Sequence, residues 1–201
     1  MTGLVGHPGL RRAYATLCDG AEFVMAYALD ECDDGGPPSF YRTRLHGNQL
    51  RELDRFLSIL TEEIALFLGD PGHDGAAFAR QHNTANKLSR VRAMMALGSV
   101  DHERLSAIGR IRACLHHCAG QIHEPGLFRD LLIAHGKGSD IAPFAPGERL
   151  RLAPITRVRI GRFYGDIGRM LVDEAFAHRP DVDFSASCGH IVGANVACDG
   201  I

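Results

Sequence analysis

An apolar stripe over residues 50–68 constrains the fold of this chain more than any other feature of the sequence. Its apolar residues recur every three or four positions, which places them on one face of an α-helix. The run Gly69-Asp70-Pro71-Gly72 follows directly, and a proline cannot continue a helix because it lacks the backbone N–H. Asn48, just before the stripe, is a residue type that often caps a helix N-terminus. We therefore predict a helix that starts at Asn48 and ends at Leu68. The stripe consists of Leu50, Leu53, Phe56, Leu57, Leu60, Ile64, Phe67 and Leu68.

Similar spacing in five further segments indicates a fold made of helices. Asp101 is placed to cap the fourth of the predicted helices. Gly161, Gly165 and Gly168 interrupt the last one, where they would let another helix pack closely because glycine has no Cβ. Runs rich in glycine and proline separate the segments and predict loops. The five segments are 10–32, 75–97, 102–120, 127–134 and 156–177.

The predicted fold class is all-α, an antiparallel helical bundle of about five to six helices. A length of 201 residues is ordinary for one domain that buries its own core. We assign residues 1–179 to this helical bundle domain and residues 180–201 to a C-terminal tail or arm. Residues 148–152 predict a brief extended stretch within the bundle domain. The tail, which is glycine-rich and in places β-branched, predicts a short irregular or β-like appendage.

Two absences in the sequence bear on the location of the protein. No run of about 18 apolar residues is present that would span a bilayer. Residues 1–12 lack the basic, apolar and small-residue order of a secretory signal. We therefore expect a cytoplasmic protein without a membrane partner. In that reducing compartment the six cysteines are expected to remain thiols.

Charge is spread unevenly along the chain. The formal net charge is −2 at pH 7, yet residues 80–112 and 149–169 are both basic. Such stretches can hold a phosphate-bearing partner, or they can form solvated helix faces. The chain has no P-loop, no dinucleotide fingerprint, no His-Glu-x-x-His and no Gly-x-Ser-x-Gly motif. We therefore expect no cofactor and exclude the common NTPase, hydrolase and metalloprotease classes.

Reactive side chains are densest in residues 110–118. Cys114, His117 and Cys118 fall at helical positions i, i+3 and i+4, so one face carries two thiols and an imidazole, all of them zinc ligands. A further ligand would have to come from elsewhere, such as His123 or the tail. The thiols can equally pack as small apolar groups in the core. A metal-binding helical domain is thus one interpretation of this segment.

Arginine and histidine in the same segment favour phosphodiester chemistry instead. A neutral imidazole can remove the proton of a ribose 2′-hydroxyl, and an arginine can stabilise the charge that builds on the phosphate oxygens, without a metal. Residues 105–117 read L-S-A-I-G-R-I-R-A-C-L-H-H. This run resembles the signature of the HEPN superfamily of helical domains, in which an apolar ladder leads to an arginine, four to six intervening residues and then a histidine. The resemblance covers roughly residues 46–135.

The resemblance implies a metal-independent RNA endonuclease, or an RNA- or nucleotide-binding protein, of a toxin–antitoxin or defence type. It assigns the catalytic positions to Arg112 and His117. Arg110 and Arg104 are expected to contact phosphate. Because five residues turn an ideal helix by about 500°, or about 140° beyond a full circle, His116 is an alternative partner one turn from Arg112.

The resemblance also implies partners. RNA is the expected substrate, and a homodimer with a shared basic groove is the expected assembly. An antitoxin-like protein is the expected regulatory partner. The alternative to an enzyme is a non-catalytic helical protein of the same fold that serves in dimerisation or interaction.

Overall fold

The chain is helical throughout the part that the structure describes. This computed structural model describes residues 7–30, 40–69, 83–98, 100–136 and 148–179. Within these ranges the secondary structure consists of six helices and one isolated β-bridge. The predicted all-α class is confirmed. The helices are α1 (Pro8–Asp30), α2 (Phe40–Leu68), α3 (Thr84–Met94), α4 (His102–His117), α5 (Leu127–His135) and α6 (Pro154–Ala177).

Helix α2 begins earlier than its apolar stripe predicts. It starts at Phe40, and the predicted cap, Asn48, lies inside the helix. The prediction of a start at Asn48 is therefore wrong. The buried residues of the first turns include Thr43, His46 and Gly47, none of them a large apolar residue. Because these buried residues are small or polar, the sequence shows no apolar periodicity over the first turns of α2.

Helix α3 is shorter within the described residues than the predicted segment 75–97. It begins at Thr84, and the side chain of Asn83 caps it by accepting a hydrogen bond from the backbone N–H of Ala85 at 2.9 Å. It ends at Met94. Residues 75–82 of the predicted segment lie outside the described residues.

Helix α6 packs closely against α1 at two glycines. A Cβ atom at Gly161 would lie 3.0 Å from the carbonyl oxygen of Ala21, and one at Gly168 would lie 2.6 Å from Cδ2 of Leu17. The predicted role in close helix packing is confirmed for Gly161 and Gly168 but not for Gly165, where a Cβ atom would meet only Cβ of Ala21 at 4.0 Å. The two helices together bury a large part of the apolar core.

Asp101 stands at the N-cap position of α4, but its side chain makes no capping hydrogen bond. The carboxylate pairs instead with the buried guanidinium of Arg92, which also donates to the carbonyl of Gly98 at 2.7 Å. The prediction of a side-chain cap is therefore wrong. A buried cation is costly without a counter-charge, whereas the N–H groups of a helix terminus can be solvated. The pair holds the connection between α3 and α4.

A short antiparallel pairing joins the link after α4 to the segment before α6. The backbone N–H of Leu150 donates to the carbonyl of Gly120 at 2.7 Å, and the N–H of Ile122 donates to that of Glu148 at 3.2 Å. Of the predicted extended stretch at residues 148–152, the structure shows one isolated bridge, between Arg149 and Gln121. Gly120 has a φ of +79°, a conformation that glycine adopts at little cost. This pairing fixes the end of α4 relative to the start of α6.

None of the described helices combines the length and the apolar character needed to cross a bilayer. The predicted tail, residues 180–201, lies outside the described residues, as does the predicted loop after α1. The resemblance noted in the sequence, over roughly residues 46–135, extends from the second turn of α2 through α5.

Candidate nucleic-acid interface

Gly47 marks a close approach of α2 to α4. A Cβ atom at this position would lie 3.2 Å from Cβ of Leu115 and 3.3 Å from the backbone nitrogen of His116. Glycine leaves the room for this contact because it has no side chain. The backbone of α2 therefore lies directly against the last turns of α4.

Basic side chains from both helices surround this contact. Arg44 and Arg51 lie three residues before and four residues after Gly47, so they share its side of α2. The charges of both arginines act on the imidazole of His116, as do those of two positive groups on α4. We call these five residues the basic cluster. The basic cluster consists of Arg44, Arg51, Arg112, His116 and His117.

Of the two histidines in the basic cluster, His116 has the more perturbed environment. Its Nδ1 atom is buried and has no hydrogen-bond partner among the described residues. Desolvation of the ring, followed by the charges of His117, Arg51, Arg44 and Arg112, lowers its pKa below the ordinary 6.5. Both effects favour the neutral imidazole, which is the form that accepts a proton. Because Nδ1 is buried, Nε2 is the nitrogen through which His116 can meet a ligand.

His117 lies beside His116 in a different environment. The two rings meet edge to face, with centroids 4.8 Å apart and an interplanar angle of 86°. His117 is exposed, whereas His116 is half-buried. The continuous helix α4 runs to His117, so no break in the helix brings this side chain round to the face of Arg112. His116 is the histidine that lies one turn from Arg112.

Arg112 is held in place by a carboxylate of α2. Its Nη1 atom donates to Oδ2 of Asp54, and Oδ1 of the same carboxylate accepts a hydrogen bond from the hydroxyl of Tyr164 at 3.4 Å. Tyr164 is almost fully buried in α6. The carboxylate thus links Arg112 to the core. The Nε and Nη2 atoms of Arg112 have no partner among the described residues, which leaves them for a phosphate.

A cavity of about 400 Å³ lies beside the basic cluster, and Arg112 reaches into it. Arg110 and Asp54 line it as well, together with the polar side chains of Asn83 and Ser106. His116 and His117 are not among its lining residues. Arg112 is therefore the one residue of the basic cluster that lines this cavity.

The two predicted phosphate-contacting arginines differ in their surroundings. Arg110 lines the same cavity as Arg112, but its Nε and Nη2 atoms donate to the carboxylate of Asp130 at 2.8 Å and 2.6 Å. Its charge is thus largely compensated. Arg104 lines a different cavity, where it donates to the carbonyl of Ala134. The structure consequently does not bring Arg104 together with Arg112.

The thiols of α4 show a mixed environment. Cys114 is buried, its Sγ lies 3.3 Å from the carbonyl oxygen of Gln121, and burial raises its pKa to about 11. Such a thiol is a poor source of the thiolate that zinc requires. Cys118 is exposed. Within the described ranges, no three His, Cys, Asp or Glu side chains are grouped so that they could hold a metal ion. The histidine and cysteines of the tail lie outside those ranges.

Sequence reasoning missed Arg44, Arg51 and Asp54. Arg44 precedes the predicted start of α2. Its helical spacing to Gly47 and Arg51 therefore could not be recognised from the sequence. A longer α2 would have revealed that spacing. Nothing in the sequence links Asp54 to Arg112, because the first residue lies in α2 and the second in α4.

Comparison of the chain with protein-family models, with curated proteins and with solved structures gave no match.

Proposed function

We propose that this protein is a metal-independent RNA endonuclease that acts at the basic cluster. The observation that carries the proposal is the environment of His116, a histidine biased toward its neutral form in the midst of positive side chains. Positive charge attracts the phosphate backbone, and a neutral imidazole is a base able to act near neutral pH. The resemblance of residues 105–117 to the HEPN signature also supports RNA cleavage as the function of this segment.

The proposed reaction is an internal transfer of the phosphodiester. Nε2 of His116 takes the proton of the ribose 2′-hydroxyl, and the 2′ oxygen attacks the adjacent phosphorus. The bond from phosphorus to the 5′ oxygen breaks, and that oxygen receives a proton from His117, which is exposed at the end of α4. The products are a 2′,3′-cyclic phosphate and a 5′-hydroxyl, so atoms and charge balance without water or a metal.

Arg112 stabilises the phosphorane-like transition state. Its Nε and Nη2 atoms are available to donate to a phosphate, and the ion pair with Asp54 fixes the guanidinium before the substrate binds. A donor that is already oriented stabilises developing charge more effectively than a mobile one. Arg44 and Arg51 attract the flanking phosphates through longer-range charge.

The direct test is cleavage of a mixed RNA substrate in the presence of EDTA. We expect fragments that end in a 2′,3′-cyclic phosphate. The variant His116→Ala lacks the proposed general base, and its rate constant of RNA cleavage should be lower by about 100-fold or more. His178→Ala is the matched control, because His178 is exposed at the end of α6, outside the basic cluster.

Two results would contradict the endonuclease. One is intact RNA after long incubation with the native protein. The other is a His116→Ala variant that cleaves as fast as the His178→Ala control. RNA binding without cleavage would leave a binding protein as the function of the basic cluster.

Homodimerisation is a second candidate function, and an apolar groove between α1 and α2 favours it. The groove has a volume of about 500 Å³, and Phe23, Leu45 and Phe56 line it. Phe23 is 61% exposed, which is unusual for so large an apolar side chain. Gln49 also lines the groove, and neither atom of its buried amide has a partner among the described residues.

Analytical ultracentrifugation of the full chain tests whether it forms a homodimer. We expect a dimer that Leu45→Glu converts to a monomer, because a charge in an apolar interface is costly. Leu66→Glu is the control, since Leu66 is exposed on the same helix and does not line the groove. A native protein that sediments as a monomer at all concentrations would exclude the dimer.

A further inference from the structure

A second positively charged cavity lies where α4, α5 and α6 meet. Its volume is about 250 Å³, and none of the residues of the basic cluster lines it. Three arginines and a histidine face it, against one carboxylate. The charged and titratable residues of this cavity are Arg104, His135, Arg159, Arg162 and Asp166.

Arg104 is held rigidly at the wall of the cavity. Its Nε and Nη2 atoms donate to the carbonyl oxygen of Ala134 at 3.1 Å and 2.9 Å. Its guanidinium carbon lies 4.2 Å from the centroid of the Phe163 ring. The Nη1 atom donates to no described residue. A guanidinium fixed in this way loses little conformational entropy when it binds an anion.

His135 forms a buried part of the same wall. Its Nδ1 atom lies 2.9 Å from the hydroxyl oxygen of Thr156, and the residue is only 6% exposed. Burial and then the charges of Arg159 and Arg104 lower its pKa. Burial also lowers the pKa of Arg104, with Asp101 and Asp166 opposing this effect and Arg159 adding to it. The charges of Arg104 and Arg159 thus act on His135 within this cavity, where Asp166 is the one carboxylate among the lining residues.

Arg159 and Arg162 differ from the ion-paired arginines of α3 and α4. Within the described residues neither of them forms an ion pair. By contrast, Arg92, Arg110 and Arg112 each pair with an aspartate. Cations that face one small cavity repel each other unless an anion lies between them. The local charge is thus complementary to an anionic ligand.

We propose that this cavity binds a small phosphate-bearing anion. Guanidinium groups recognise the oxygens of a phosphate with paired, charge-assisted hydrogen bonds, and three arginines line this space. The volume is below the roughly 300 Å³ at which pockets for larger organic ligands begin. It fits inorganic phosphate or the terminal phosphate of a longer molecule. The site is separate from the basic cluster and does not depend on RNA cleavage there.

Calorimetric titration of the full chain with inorganic phosphate, at constant ionic strength in sodium chloride, tests the proposal. We expect saturable binding that weakens by at least about tenfold in the double variant Arg159→Gln/Arg162→Gln, because charge-assisted hydrogen bonds are lost. Arg55→Gln/Arg129→Gln removes the same charge from exposed positions that do not line the cavity, and it should bind as the native chain does.

A thermal-unfolding series keeps the test decisive if the double variant is less stable. Phosphate should raise the midpoint of the native chain and of the control in a concentration-dependent way, and it should leave the midpoint of Arg159→Gln/Arg162→Gln unchanged. Absence of saturable phosphate binding by the native chain would overturn the proposal. Equal phosphate affinity in the two double variants would overturn it as well.

Two oligonucleotides then distinguish the sources of the phosphate. If a short RNA with a 5′-phosphate displaces inorganic phosphate and the same RNA with a 5′-hydroxyl does not, the site accepts the terminal phosphate of a chain. If neither displaces it, the site takes the free anion. Equal displacement by both RNAs would contradict a site for a phosphate dianion, since it would indicate general attraction of polyanions.

Discussion

His116 and His117 are neighbours in the chain, yet their environments differ sharply. His117 is exposed, whereas His116 has a buried and unpartnered Nδ1 atom. The resemblance to the HEPN signature assigns the catalytic position to His117, with His116 as the alternative. The geometry of α4 and the desolvation of His116 favour His116 as the base. In the proposed reaction His117 is then the acid for the leaving oxygen.

The pKa of His116 is a first prediction at the scale of the residue. Desolvation and neighbouring cations lower it, so an NMR titration of the imidazole should give a value below 6.5. The unfolded chain then binds the proton more readily than the fold does. His116 therefore contributes stability above pH 6.5, which is lost as the pH falls through the pKa of the folded state.

The resonance is assigned by its disappearance in His116→Gln. Cleavage of RNA by the native chain should fall on the acid side only below pH 6.5, where the base becomes protonated. A measured pKa at or above 6.5 would refute the described environment.

Asp54 is the subject of a second prediction. Asp54→Asn removes the charge that holds Arg112 and weakens the acceptor for the hydroxyl of Tyr164. We expect a loss of about 1–3 kcal/mol in the free energy of unfolding, measured with urea, because a partly buried guanidinium loses its counter-charge. The cleavage rate should fall as well, since Arg112 is no longer oriented.

Tyr164→Phe provides the comparison for Asp54→Asn. It removes one long hydrogen bond to the same carboxylate and leaves the ion pair in place. Its effect on the cleavage rate should be small. Equal losses of activity in the two variants would show that Asp54 acts through the core rather than through Arg112.

At the scale of the helices, glycine decides where two backbones meet. Gly47 lets α2 approach α4, and Gly161 and Gly168 let α6 approach α1. The first contact positions the basic cluster, because Arg44 and Arg51 flank Gly47 on α2. The second contact supports the core on which Tyr164 and hence Asp54 rest.

Gly47→Ala should therefore disturb the basic cluster. The added Cβ would meet Leu115 at 3.2 Å and the backbone nitrogen of His116 at 3.3 Å, so α4 must move by a few tenths of an ångström. We expect a loss of about 1–3 kcal/mol in urea unfolding, together with weaker RNA binding. Gly109→Ala, in α4, is the control. Its Cβ has nothing within 4 Å, and it should be neutral or stabilising by about 0.5–1 kcal/mol.

Helix α6 offers a second matched pair. Gly161→Ala places a Cβ atom 3.0 Å from the carbonyl of Ala21 and 2.8 Å from Cγ of Met25, and the backbone carbonyl cannot turn away. Gly165→Ala meets only the Cβ of Ala21 at 4.0 Å. We expect Gly161→Ala to lower the midpoint of thermal unfolding and Gly165→Ala to leave it unchanged or raise it. The opposite order would mean that α1 and α6 are packed differently.

At the scale of the whole molecule, the fold redistributes the charge that the sequence shows. The basic stretch 80–112 suggested either a phosphate-binding surface or a solvated helix face. Several of its cations are instead paired within the bundle, among them Lys87 with Glu62 and Arg92 with Asp101. Arg44 and Arg51 lie outside both predicted basic stretches; both are exposed, and Arg51 is paired with Glu52 at 3.5 Å. The basic cluster is thus assembled from two helices distant in sequence, and we propose that it attracts RNA.

The salt dependence of RNA binding measures this redistribution. If Arg44, Arg51 and Arg112 each neutralise one phosphate of a single strand, the logarithm of the binding constant should fall with the logarithm of the salt concentration with a slope of about −2. Arg44→Gln/Arg51→Gln should reduce the slope to about −0.7. Arg55→Gln/Arg129→Gln, at exposed positions outside the basic cluster, should leave it unchanged. An identical slope in all three proteins would show that RNA binds elsewhere.

The amino-acid sequence was enough to predict the all-α class, the existence of the long helices and the tight packing at Gly161 and Gly168. These follow from local physics, since the period of the apolar residues and the missing Cβ of glycine act within one segment. It also indicated Arg112 and the adjacent histidines as candidates for phosphate chemistry.

The arrangement of those candidates becomes visible only once the helices are packed together. The early start of α2, the pairing of Arg112 with Asp54, the separation of Arg104 from Arg112 and the desolvation of His116 all depend on which surfaces meet. Burial of polar residues and ion pairing are properties of contacts between distant segments, which leave no periodic pattern in the chain. The two positively charged sites of this protein are therefore products of its packing.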